Sequence, residues 1–152
     1  SGLYGLPHAP TDAQVWVVPV PFDATTSYRQ GTARGPSAVL AASRQVDLAD
    51  AVFGEVWRGG IALLEPEPGL AALQEEASAR AAGILAVGGE LGGDRALEAD
   101  LARVNALGAE LNARVEARVA ATLSEGRLPV VLGGDHSVPF GAFRAAAERR
   151  PG

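Results

Sequence analysis

The chain has 152 residues, 47% apolar and 20% charged, a net charge of -5, and neither cysteine nor methionine. That length and balance suit a single folded domain and exclude disorder, and the acidity argues against a nucleic-acid partner, as does the lack of any Lys/Arg cluster interleaved with aromatics. The absence of cysteine excludes disulfides, thiolate zinc sites and cysteine nucleophiles, so any metal must be held by histidine and carboxylates.

In chain order, Ser1-Gly2 reads as a product of processing or cloning, since no methionine occurs. The run Val15-Trp16-Val17-Val18 predicts a buried strand closed by Pro19 and Pro21, which cannot donate to a ladder. A polar, Gly-containing loop over residues 22–35 follows, at about 14 residues longer than a simple connection. Pro36 stands at a first helical position, and Val39, Leu40, Ser43 and Val46 fall at helical spacing, predicting a helix over residues 36–48. Residues 60–64 predict a second strand, stopped by a Glu-Pro-Glu-Pro-Gly breaker. The Ala-rich segment 70–87 predicts a helix, with residues 84–87 equally readable as a short strand.

The glycine pairs at 88–89 and 92–93 predict a turn, and Asp94 caps a long helix whose stripe is Leu97, Leu101, Val104, Leu111, Val115, Val119 and Leu123. Gly126 ends it. Residues 128–132 predict an apolar strand covered on both faces, and a last helix is expected over residues 138–150, before a Pro-Gly turn leading into another strand. Strands alternating with helices indicate an α/β fold: three layers, a mainly parallel sheet with helices on both faces, in one domain over residues 1–152 without an internal boundary. No apolar run reaches the roughly 18 to 20 residues of a membrane span, and no signal peptide is recognisable, so a cytoplasmic location without a membrane partner is expected.

Gly133-Gly134-Asp135-His136-Ser137 follows directly on the third strand, at its carboxyl end, where ligand sites of α/β sheets gather. The two glycines permit a sharp turn and close backbone approach, and His136 there can present a neutral nitrogen to a metal. Asp135 and Ser137 are candidates to orient the imidazole through hydrogen bonds. The competing reading of His136 is a satisfied structural histidine. His8 lies near the terminus, and Asp23, Asp47, Asp50, Asp94 and Asp100 lack ligand spacing and read as caps and solvated surface. The glycines at 88–93 lack the Lys-Ser/Thr of a phosphate cradle and read as a hinge.

The Gly133–Ser137 segment resembles the first signature of the ureohydrolases, the arginase and agmatinase superfamily. Upstream, residues 18–36 (VPVPFDATTSYRQGTARGP) and 41–48 (AASRQVDL) resemble the N-terminal region of agmatinases in particular. Two matches in the right order, about 100 residues apart, are more specific than either alone. The resemblance implies an arginase-like fold, incomplete in this chain, and a binuclear Mn²⁺ centre of which His136 is one ligand. It further implies hydrolysis of linear amidines, a guanidino substrate such as agmatine yielding an amine and urea. The family also has an Asp-x-His-x-Asp cluster and a later aspartate pair, whereas the sixteen residues after His136 hold neither Asp nor His. The chain alone is therefore expected to be inactive and to carry no complete catalytic set, its partner being a C-terminal half or further copies in a homo-oligomer.

The loop over residues 22–36 keeps two readings. One is a strand-to-helix connection in which Arg34 pairs with a carboxylate. The other, implied by the resemblance, is a wall of the active-site mouth or a subunit contact with Tyr28 and Arg29 as contributors. The alternative function is a truncated, non-catalytic relative acting as an interaction module, whose open sheet edge beside Val130 needs covering.

Overall fold

A computed structural model describes residues 2–26 and 28–149. Its three strands, β1 (Val15–Val20), β2 (Ile61–Leu63) and β3 (Leu128–Gly133), form one parallel sheet in the order β2-β1-β3. The helices are α1 (Gly35–Ala42), α2 (Leu70–Ala86), α3 (Arg95–Ser124) and α4 (Phe140–Arg149). This is an α/β arrangement in which each crossover between parallel strands carries helix, as parallel pairing requires.

Side chains alternate across β1 and sort the helices into layers. Trp16, Val18 and Val20 point to the main core, where they meet Leu70 and Leu73 of α2, Leu107, Leu111, Val115 and Val119 of α3, and Ala145 of α4. On the opposite face Pro19 and Leu63 share a concavity with Pro36 and Leu40 of α1. Helices thus flank both faces, with the larger core beneath α3.

β1 continues two residues past the end predicted for it, through Pro19, which pairs with Leu132. In a parallel strand the polar groups of alternate residues point to alternate neighbours. Val17 accepts from Leu64 on the β2 side, so Pro19 also faces that side, where β2 has already stopped at Leu63. No donor is needed there.

The first helix is shorter than the predicted 36–48. It gives way to a 3-10 turn over Ser43–Gln45 and then to extended backbone at Val46. The Ser43 hydroxyl donates to the Leu40 carbonyl and accepts from the Tyr4 amide, a side-chain bond that competes with continuing the helix. Residues 84–86 are helical, which removes the strand alternative. The last helix starts at Phe140, two residues later than predicted, because Val138 belongs to the turn that Asp135 organises; Arg150 and the Pro-Gly pair lie outside the described residues.

Asp94 caps α3 as expected, accepting from the Ala96 and Leu97 amides. The buried stripe of α3 includes Leu107 and Thr122 and leaves Leu101 37% exposed. Charges fasten the rims: Glu76 takes Arg103 at 2.7 Å, and Arg80 reaches Asp100 at 2.8 Å. Arg114 joins Glu110 on α3 to Glu67 and the Pro68 carbonyl ahead of α2.

At Gly141 the backbones of α4 and α3 touch. A Cβ there would overlap the Asn112 carbonyl oxygen and stand 2.8 Å from the Glu116 amide.

β3 departs from the expectation of cover on both faces. Among the described residues it is one of the two sheet edges, and Leu128 and Val130, on the α1 side by register, are 60% and 42% exposed. An apolar groove of about 700 Å³ also runs between β3 and α4, past Leu128, Val131, Pro139 and Phe143.

Candidate functional site

β1 and β3 are adjacent and parallel, and their pairing ends at Val20 opposite Gly133, so the chain leaves both strands at the same place and in the same direction. The first loop then folds over the second. The Asp135 amide donates to the Phe22 carbonyl at 2.9 Å, and this contact depends on Gly134. A Cβ at Gly134 would overlap the Phe22 carbonyl oxygen and lie 2.7 Å from its carbon. Glycine is needed for close approach, as the motif suggested.

The Asp135 carboxylate closes the junction. One oxygen accepts from the Thr25 amide (3.0 Å) and hydroxyl (2.6 Å); the other accepts from the Ser137 amide (2.9 Å) and hydroxyl (2.6 Å). Val138, 1% exposed, anchors the far side of the turn in the core. Between these two tethers the His136 side chain stands exposed on the lining of a concavity of about 520 Å³, with Thr25, Thr26, Tyr28, Arg29 and Thr32 opposite. The structure therefore brings His136, Asp135, Ser137, Tyr28 and Arg29 together at one place. The hydrogen bonds of Asp135 and Ser137 run to each other and to Thr25; among the described residues none reaches the imidazole.

The first loop is shaped by Asp23. It is 3% exposed, and its carboxylate accepts from the Gly31 and Ala33 amides and the Gln74 side chain, while its own amide donates to Gln74. Burial pushes its pKa up, but the Ala33 and Gly31 amides, the Gln74 amide and the nearby Arg34 charge outweigh that and hold it below the ordinary carboxylate value. Asp23 is thus neither a cap nor solvated surface. Tyr28, 84% exposed, carries the Arg29 guanidinium 5.1 Å from its ring centre at the mouth.

The remaining acids serve local structure. Asp47 and Asp50 accept from amides two or three residues on, and Asp100 pairs with Arg80. Among the described residues no three of His, Asp and Glu are grouped so as to hold a metal ion. With Asp135 saturated by four donors, the residues present do not make a metal site by themselves; His136 is a single available nitrogen.

Sequence alone does not single out Thr25, and it reads Asp23 as a cap or solvated surface. Their partners are set by tertiary contact, Gln74 lying 51 residues from Asp23 and Asp135 lying 110 from Thr25, so no local pattern announces them.

A sequence model of the Arginase family matches residues 13–152. The chain is similar to the N(1)-aminopropylagmatine ureohydrolase of a Synechocystis species, 56% identical over 43 residues, or 28% of this chain and 14% of that protein. It is also similar to the N(1)-aminopropylagmatine ureohydrolase of Thermus thermophilus, 38% identical over 76 residues, or 49% of this chain and 26% of that protein. The matched segments thus span only a minor part of each relative's own length. No solved structure matches the chain.

Proposed function

Because this chain belongs to the Arginase family, we propose that the whole protein is a manganese-dependent ureohydrolase acting on a linear guanidino amine such as agmatine or N(1)-aminopropylagmatine. Water adds to the guanidinium carbon, the bond from that carbon to the alkyl nitrogen breaks, the nitrogen leaves protonated as an amine, and urea is released. The observation that carries the reading is the position of His136, presented to a concavity where β1 and β3 end together. The similarity to proteins named for aminopropylagmatine supports a guanidino substrate, and the acidity of the chain suits a cationic one.

Among the described residues of the site His136 is the nitrogen donor offered to manganese, so the remaining ligands would have to come from a C-terminal portion or a further copy. With the ligand set completed, His136 would help hold the metal, whose charge would make a water acidic enough to act as the nucleophile near neutral pH. The partners of this chain in the proposal are a C-terminal portion or further copies in a homo-oligomer, and Tyr28 and Arg29 form the outer wall of the mouth.

A second reading, a non-catalytic relative acting as an interaction module, is favoured by the open β3 edge with its exposed Leu128 and Val130. Urea release by the whole protein from agmatine and from N(1)-aminopropylagmatine, after chelation and after Mn²⁺ is restored, separates the two. His136→Ala is expected to lower turnover on the order of 100-fold or more and to reduce bound manganese, with unchanged circular dichroism. No urea from either substrate at any Mn²⁺ concentration overturns the enzyme reading and leaves the module.

A further inference from the structure

Asp135 looks, by residue type and neighbourhood, like a group free to serve chemistry, yet its carboxylate is spent on four donors. Two of them come from a single residue on the other loop, Thr25, whose hydroxyl lies 2.6 Å from Oδ2 and whose amide lies 3.0 Å from the same atom. The other two come from Ser137, on the far side of His136. The backbone on both sides of the histidine is therefore tied to one carboxylate, and that carboxylate is tied across to the loop after β1. The imidazole takes no hydrogen bond from the described residues, so its direction is inherited from this backbone.

From this we infer that Thr25 is a positioning residue for His136, acting through Asp135. The short O–H to carboxylate contact is charge-assisted, the stronger kind of hydrogen bond. Thr25 is itself exposed and lies outside the core cluster, so removing its hydroxyl takes nothing from the packing that holds β1, α3 and α4 together. The loss falls instead on the junction that aims the histidine. The described residues of the loop after β1 wall the concavity, with Asp23 drawing the Gly31 and Ala33 amides to the loop's start and Thr25 tying that start to Asp135.

The inference rests on the proposed role of His136 in the guanidino site, and its test separates the two. In the whole protein, Thr25→Val keeps the shape and removes the hydroxyl, while Thr25→Ser restores it. Thr25→Val is expected to shift the His136 imidazole resonances, assigned by their absence in His136→Ala. It is also expected to lower kcat for urea release about tenfold with KM changed less than about twofold, as for loss of orientation rather than binding. Thr25→Ser should return both readings to wild type. Unshifted His136 resonances in Thr25→Val overturn the inference, and so does an equal loss in Thr25→Val and Thr25→Ser. A fall in the melting midpoint of more than about 5 °C in Thr25→Val overturns it too, since that assigns the hydroxyl to the fold. If the wild-type protein releases no urea, the ureohydrolase reading fails while the resonance shift still decides whether Thr25 positions His136.

Discussion

Two concavities flank β3, and they are built on opposite principles. The one at the strand's carboxyl end, about 520 Å³, is walled by threonines, Asp135, Ser137 and His136, and its polar groups are largely satisfied by one another across two loops. The other, along the flank of β3 and about 700 Å³, is walled by Val119, Leu123, Val131, Pro139 and Phe143 and leaves apolar surface in water. Hydrogen bonds are short-ranged and can be closed within a single junction, whereas apolar area is buried only when another layer arrives. The difference teaches that the polar end is organised by this chain itself, while the apolar flank is a surface that the described residues leave open.

The sharpest way to break that contrast is Gly134→Ala. A Cβ at this position meets the Phe22 backbone, which cannot yield without parting the two loops, so a loss of about 3 kcal/mol is expected in chemical denaturation of the whole protein. A variant as stable as wild type would show that the two loops do not touch. Asp23→Asn comes next, at about 2 kcal/mol, since an amide keeps only one acceptor oxygen and must set its NH2 against either the Gly31 and Ala33 amides or the Gln74 amide. The pH dependence has a definite sign. Because the folded state favours the carboxylate, its stabilisation is complete above the ordinary value of 3.8 and is lost as pH falls through the lowered folded value. Wild type but not Asp23→Asn should therefore show this loss in acid unfolding.

On the α1-side face of the same strand, opposite the groove, Val130→Lys measures whether that face of β3 is covered. A cost of about 1 kcal/mol in the whole protein is expected for a covered edge, and a change inside about 0.5 kcal/mol would mean that β3 faces water there. The smallest effect belongs to Arg103→Ala. Its hydrogen bonds to Glu76, with those of Arg80, hold the Glu76 carboxyl down to about 2, but the pair is solvent-facing, and a melting shift of no more than about 2 °C is expected. That ion pair's contribution is present above the ordinary value of 4.5 and fades as pH falls toward 2.

Much of this was legible from the chain. The apolar runs at residues 15–18 and 128–132, the cap at Asp94 and the period of α3 are local signals, written in residues a few places apart, and each appears as an element of the fold. The glycines and histidine after β3 were legible for the same reason, because a motif directly after a strand carries its own location. Edges were less so: the passage of β1 through Pro19 depends on β2 stopping at Leu63, which residues near Pro19 do not report.

By itself, then, the sequence determined the α/β alternation, the place of His136 at the end of β3, and the resemblance that the family match bears out. Only the tertiary structure decided that Asp135 is a clasp occupied by Thr25 and Ser137, that Asp23 is a buried post for the first loop, and that the flank of β3 stands open. The physical reason is separation. A carboxylate looks the same in sequence whether it faces water, a metal or four donors, and the donors that settle the matter for Asp135 include one brought from 110 residues away by the pairing of β1 with β3.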